Sequence, residues 1–372
     1  MLTPAVMAVC LCGVPDAQAS STALAARGIE RAVETMERAT LRADSGAYMA
    51  VIDTTDPVFA EEQRKWARDL RTRPVDSVDF RVDLNRLSKT PDGHWRAPLT
   101  VVWSLPGDDK PYSITYPALF RPLGLPEGAW LYAGRAWEDF PADGVRILLD
   151  PEDDSAHEIA EHLAARVAGF RAAIEEDLGE TLHAEPTIKL YPDMASLQAS
   201  IALSYTDPLG GWNEPGESIK ILSRPGFVGP RLDATVAHEL GHAVSFQWGE
   251  AIIEAPWWSL EGIAEVAADP FRESPEAASR DAARRMARDG TLMDFDRLAD
   301  FRGEAMNHGR HVYVQGRSMV RYITERFGRE KRNEWFRAMG KGRSLNDATR
   351  SVLGLPFERL NEDWRASLSE GE

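Results

Sequence analysis

Apolar and polar positions along the chain change their rhythm twice. Over 28–41 the apolar side chains recur at helical spacing, and 59–71 is a second amphipathic helical stretch that carries Trp66. Four runs rich in β-branched and aromatic residues follow at 77–86, 95–105, 112–120 and 130–137. The turn sequences PDG, PGDD and LPEG separate them. Helices first and then consecutive strands predict an α+β module over 28–141 with an antiparallel meander.

From residue 144 the elements alternate. An apolar strand at 145–149 precedes a long amphipathic helix at 156–178, a strand at 187–191, a short helix at 194–201 and a strand at 217–222. The stretch 232–246 reads as a mostly apolar helix fit for burial, and 259–268 as another between Pro256 and Pro270. A charged, Ala-rich helix is expected over 274–288. Helices at 313–327, 330–340, 344–353 and 356–368 then end at Gly328, Gly340, Gly342, Gly354 and Pro356. Trp335, Phe336, Phe357 and Trp364 are expected to share their core. The second domain is thus drawn over 144–372.

The apolar helix at 232–246 carries His238-Glu239-Leu240-Gly241-His242. Residues four apart share one helix face, so both imidazoles can reach one cation while Glu239 projects beside them. Glu261 follows in the string PWWSLEGIAEVAA, and Glu265 lies one turn further on. Two histidines, one carboxylate and an open fourth position make a recurring ligand set for catalytic zinc. Burying these imidazoles and carboxylates without a metal would carry a desolvation cost that little else in the sequence offsets.

These residues bring a known group into view. AHELGHAV at 237–244, WWSLEGIAE at 257–265 and YVQGRSMVRYITERFG at 313–328 resemble the gluzincin metallopeptidases, and within them the peptidase MA-like family. The resemblance covers the C-terminal part of the chain and implies a thermolysin-like catalytic domain: a small sheet, an active-site helix and a helical C-terminal part. It implies one Zn2+ held by His238, His242 and Glu261, with Glu239 as general base. Glu265 matches the carboxylate that hydrogen-bonds a ligand histidine and fixes its tautomer. Tyr313-Val314-Gln315-Gly316 resembles the Tyr-x-Lys-Gly sequence whose tyrosine stabilises the oxyanion in the aminopeptidase branch, with Gln315 in place of Lys. His311 is the second candidate for that role, and His308 is more remote.

The spacing between His242 and Glu261 matches the same branch, but its Gly-x-Met-Glu-Asn segment, which binds a free amino terminus, has no counterpart. Gly210-Gly211-Trp212-Asn213-Glu214 is similar only on the surface. An endopeptidase acting on peptide or protein substrates is therefore expected. In gluzincins the strand corresponding to 217–222 is a sheet edge on which an extended peptide can pair. The module at 28–141 resembles an NTF2-like cone in the order of its elements. A competing reading keeps the fold and the metal without the chemistry, as a binding or scaffold protein that recognises partners through that module. The intact Glu239 favours the enzyme, since a support needs no base beside its metal.

The formal charge of −16 argues against nucleic acid and against an anionic membrane surface as partners. Cys10 and Cys12 fall inside the apolar stretch 2–14, and Ala17-Gln18-Ala19 follows as a small-residue cleavage pattern. A leader over 1–19 is expected, and with it a secreted or periplasmic protein; the leader's lack of Lys and Arg leaves retention as an anchor open. No stretch elsewhere approaches the ~20 apolar residues of a membrane span. His157, His162 and His183 have no companions at ligand spacing and are expected at the surface.

Overall fold

Residues 17–124, 129–273, 275–301 and 303–369 are described by the computed structural model. The leader expected over 1–19 lies, up to residue 16, outside the described residues, as does the LPEG turn at 125–128. Two units emerge: one runs to Ala136 and takes in Ala199–Tyr205, and the other comprises Trp137–Gln198 and the chain from Thr206. Among the described residues no helix is long and apolar enough to cross a membrane.

In the first unit, α1 (Ala17–Leu41) buries Ala25, Ile29, Ala32, Val33, Met36 and Ala39, a stripe at helical spacing. After the short α2 (Ser45–Met49), α3 (Pro57–Thr72) starts on Asp56, whose carboxylate accepts from the amides of Val58 and Phe59. The strands are β1 (Ser77–Val82), β2 (Ser88–Lys89), β3 (Trp95–Ser104), β4 (Tyr112–Pro122) and β5 (Trp130–Arg135). They form an antiparallel sheet in the order β1-β3-β4-β5, with β2 also paired to β3. The strand expected over 77–86 stops at Val82 because the Asp83 carboxylate caps a helical turn at Leu84–Arg86. Buried Trp66 and Trp103 need acceptors for their indole N–H groups, and the carbonyls of Ala199 and Leu203 supply them at 3.0 and 2.9 Å.

The second unit begins with β6 (Glu138–Phe140), β7 (Arg146–Leu149), α4 (Asp154–Ala164), α5 (Val167–Leu178), β8 (Thr187–Tyr191) and α6 (Met194–Ile201), whose last residues belong to the first unit. Then come β9 (Gly211–Trp212) and β10 (Ile219–Leu222). The sheet order is β6-β7-β8-β10-β9, with β7, β8 and β10 parallel and the outer strands antiparallel. Mixed helix and sheet in both units agree with the α+β class.

Three differences from expectation have physical causes. The helix expected over 156–178 breaks between α4 and α5. No Gly or Pro marks the break; there Arg166 leaves helical geometry, and its Nη2 lies 2.8 Å from buried Asp233. His162 is not a free surface residue, because its Nε2 sits 2.6 Å from the same carboxylate. The strand 217–222 is not a sheet edge at its centre, since β9 pairs with Lys220 and Ile221.

The helical part comprises α7 (Pro230–Ser245), α8 (Trp257–Ala268), α9 (Pro275–Arg288), α10 (Gly309–Phe327), α11 (Arg329–Gly340), α12 (Leu345–Ala348) and α13 (Phe357–Ser369). Trp335, Phe336 and Trp364 are fully buried as expected, and Trp258 joins them: its ring centroid is 4.3 Å from Phe295 and 5.8 Å from Phe357. Small residues set how closely α7, α8 and α10 approach. A Cβ at Gly241 would stand 2.9 Å from the Ala267 Cβ and 3.1 Å from the Ala264 Cα on α8. On the far side of α8, a Cβ at Gly262 would meet the Gly316 carbonyl at 2.6 Å. The helix bearing the histidines and the helix bearing Tyr313 are therefore both drawn onto the helix bearing Glu261.

Candidate metal centre

Pro230 at the first turn and a run of helix formers start α7 outside the core, and by His238 the helix is buried on all sides that matter to the site. His238 Nε2, His242 Nε2 and Glu261 Oε2 form a triangle with edges of 3.1, 3.2 and 3.4 Å. Ligand atoms bound tetrahedrally to zinc at ~2.0–2.1 Å stand about 3.3 Å apart, so the triangle has the size that zinc requires. Glu261 Oε2 is also buried and accepts no hydrogen bond. An orphaned carboxylate oxygen facing two imidazole nitrogens is costly unless a cation balances it. The residues present thus fit zinc.

Each donor is held from behind. The Trp257 indole donates to Glu261 Oε1 at 2.7 Å, which turns Oε2 toward the histidines. His238 Nδ1 lies 3.1 Å from Glu265 Oε1, and the other oxygen of Glu265 pairs with Arg272 at 2.8 Å. Beyond it, buried Asp269 is paired with Arg317 and, at 3.0 Å, with Arg321. The His242 ring stacks on Phe246 at 5.8 Å between centroids.

Electrostatics bind the group together. Burial alone would lower the His238 pKa, but the carboxylates of Glu261 and Glu265 beside the ring raise it well above the ordinary imidazole range. Burial would raise Glu261, yet the charges on the histidines hold it well below the usual carboxylate range. Metal uptake therefore competes with a proton on His238. Glu265→Gln is expected to weaken zinc binding about 10- to 100-fold, measured by competition with a chromophoric chelator. Unchanged affinity would mean that packing alone orients His238.

Glu239 is buried beside the triangle, and burial raises its carboxyl against the pull of the two histidines. The outer strand β9 runs directly over it: a Cβ at Gly211 would stand 2.7 Å from Glu239 Oε1, and Asn213 Nδ2 donates to the Glu239 carbonyl at 3.2 Å. Tyr313, on the second turn of α10, puts its ring centroid 6.0 Å from that of His238 and keeps 38% of its surface exposed. His311 projects from a different face of α10, as a two-residue offset on a helix requires. Its Nε2 lies 3.2 Å from the Thr291 carbonyl and its ring is 5.9 Å from His308, which in turn sits near Glu304. Tyr313 is therefore brought to the ligands, whereas His311 is engaged with the 291 segment.

Two features of the site escape the sequence reading. Trp257 precedes Glu261 by one helical turn, and that spacing on the predicted helix is the signal that could have revealed its bond. Gly211 sits in a strand of two residues, too short for any periodicity to show.

A family model described as the peptidase MA superfamily matches residues 171–370, a span that contains both histidines, Glu239, Glu261, Glu265 and Tyr313. No match was found among curated proteins. The match takes in more than half of the chain and its motif residues converge in space, so this protein belongs to the peptidase MA superfamily.

Proposed function

We propose that the second unit is a zinc-dependent endopeptidase with Glu239 as its general base. The observation that carries this reading is the ligand triangle of His238, His242 and Glu261 with a buried carboxylate beside it on the same helix. Bound zinc would supply Lewis acidity and a water whose pKa is lowered toward about 7. Glu239 takes the proton from the attacking water and returns it to the leaving amine. Tyr313 donates its hydroxyl to the oxyanion that develops on the scissile carbonyl; its contact with the His238 ring favours it over His311. Glu265 keeps His238 in the tautomer whose Nε2 faces the triangle. The first unit serves as a recognition module, and the leader expected over 1–19 directs the chain to the periplasm or the exterior.

The position of β9 favours a second reading. Gly211 and Asn213 lie against Glu239, and in this reading the neighbouring Glu214 receives a free amino terminus and the enzyme is an aminopeptidase. The products separate the two: internal fragments for an endopeptidase, stepwise loss from the amino terminus for the other.

The test is metal content of the purified protein combined with digestion of casein, with and without a chelator. About one zinc per chain is expected. Fragments should disappear with chelator and return when zinc is restored. Bound zinc without cleavage of casein or of any peptide library would instead support the scaffold reading.

A further inference from the structure

Three aromatic rings stand in a row beside the ligand helix, and no step above uses their faces. Trp212 on β9 lies 6.0 Å from Phe301, and Phe301 lies 4.8 Å from Trp257, measured between ring centroids. Trp257 in turn lies 6.4 Å from Tyr313. The row is tied to the reacting groups at both ends. Trp257 donates to Glu261, and Trp212 follows Gly211, the residue pressed against Glu239.

Exposure separates this row from the aromatic core. Trp258, Trp335, Phe336 and Trp364 are sealed from solvent, whereas Trp212, Phe301 and Trp257 each keep part of their surface open. Adjacent Trp257 and Trp258 show the contrast within one helical turn: the second fills the core, and the first is only half-buried and reaches the ligand Glu261. Contiguous apolar surface left in water at the edge of a polar site is what a ligand-binding wall looks like.

We propose that Trp212, Phe301 and Trp257 form a side-chain subsite that selects peptides bearing an aromatic or large aliphatic residue at one fixed position next to the scissile bond. This rests on the peptidase reading and names its substrate class. Aromatic faces gain from stacking or edge contact with another ring and from desolvating an aliphatic chain. None of the three side chains is charged, so a charged substrate residue placed there would lose water with no compensating partner from them. Continuity with the site identifies the occupant as the substrate's own side chain: a peptide laid along β9 passes Glu239 and then meets Trp212.

Digestion of a random peptide library, read by mass spectrometry, tests the proposal. The wild-type enzyme should cut with Phe, Tyr, Trp, Leu or Met enriched at a single position relative to the cleaved bond. Trp212→Ala and Phe301→Ala should each lower the ratio of kcat/KM for a Phe-bearing peptide over its Ala-bearing counterpart by about tenfold or more. Zinc content should stay at the wild-type level, and Trp212→Phe should recover most of the ratio. If the rings only pack the segment around Phe301, the variants would slow both peptides alike, and an unchanged ratio overturns the subsite. Wild-type cleavage with no preference at any position overturns it as well, while leaving the peptidase reading standing. A wild-type enzyme that cuts no peptide removes the peptidase reading and the subsite together.

Discussion

Glu239→Gln is expected to keep the metal and to lower kcat by about 10²–10⁴-fold, the range that a positioned general base contributes. Glutamine matches glutamate in size, so the packing of the side chain under Gly211 can persist. The triangle of His238, His242 and Glu261 does not include Glu239. What glutamine lacks is a site that can accept the proton of the attacking water. Metal analysis and single-turnover kinetics on the same preparation check both halves. Loss of zinc in this variant would make Glu239 a support of the site, and full activity would remove the base from the mechanism. KM should change little, because the carboxylate acts on the water and not on the peptide.

The parts of the site carried by helical spacing are legible in the sequence. His238, Glu239 and His242 share a face by their four-residue interval, and Glu265 follows Glu261 by one turn onto the side where His238 stands. Elements with a clear period were legible too: the alternation in β3 is strict, and the core aromatics of α11 and α13 bury as their stripes require. The rest depends on contacts between residues far apart in sequence. Nothing local in 156–178 announces that Arg166 must leave the helix to reach Asp233. Nothing in Gly210–Glu214 marks a two-residue strand that takes the sheet edge away from β10. Trp212, Phe301 and Trp257 come from three separate segments, and nothing local in any of them announces that their rings meet.

Glycine was the least legible signal of all, because within a helix it reads as a flaw. Gly241, Gly262 and Gly316 lie inside α7, α8 and α10, where each costs up to about 1 kcal/mol relative to alanine if nothing else is at stake. Their use is steric. The ligand triangle needs α7 and α8 close enough for imidazole and carboxylate to converge, and Tyr313 needs α10 against the other side of α8. A methyl group at either crossing would hold the helices apart.

Gly316→Ala is accordingly expected to destabilise the protein by about 1–3 kcal/mol, the usual cost of overpacking, despite the helix preference of alanine. A Cβ at this position would stand 2.1 Å from the Trp258 carbonyl oxygen and 3.4 Å from the Gly262 Cα. These neighbours are backbone, and no rotamer change can move them aside. Relief requires α8 and α10 to separate, which shifts Glu261 and Trp257 on one helix and Tyr313 on the other. Unfolding in urea should show a lowered midpoint with an unchanged slope, together with weaker zinc retention. Gly169→Ala provides the contrast, since a Cβ there meets nothing within 4 Å inside α5 and should leave stability equal or improved. If both substitutions behave alike, the close crossing of α8 and α10 does not govern the site. If only Gly316→Ala loses stability and zinc, the geometry of the metal centre is set by how nearly two helix backbones can touch.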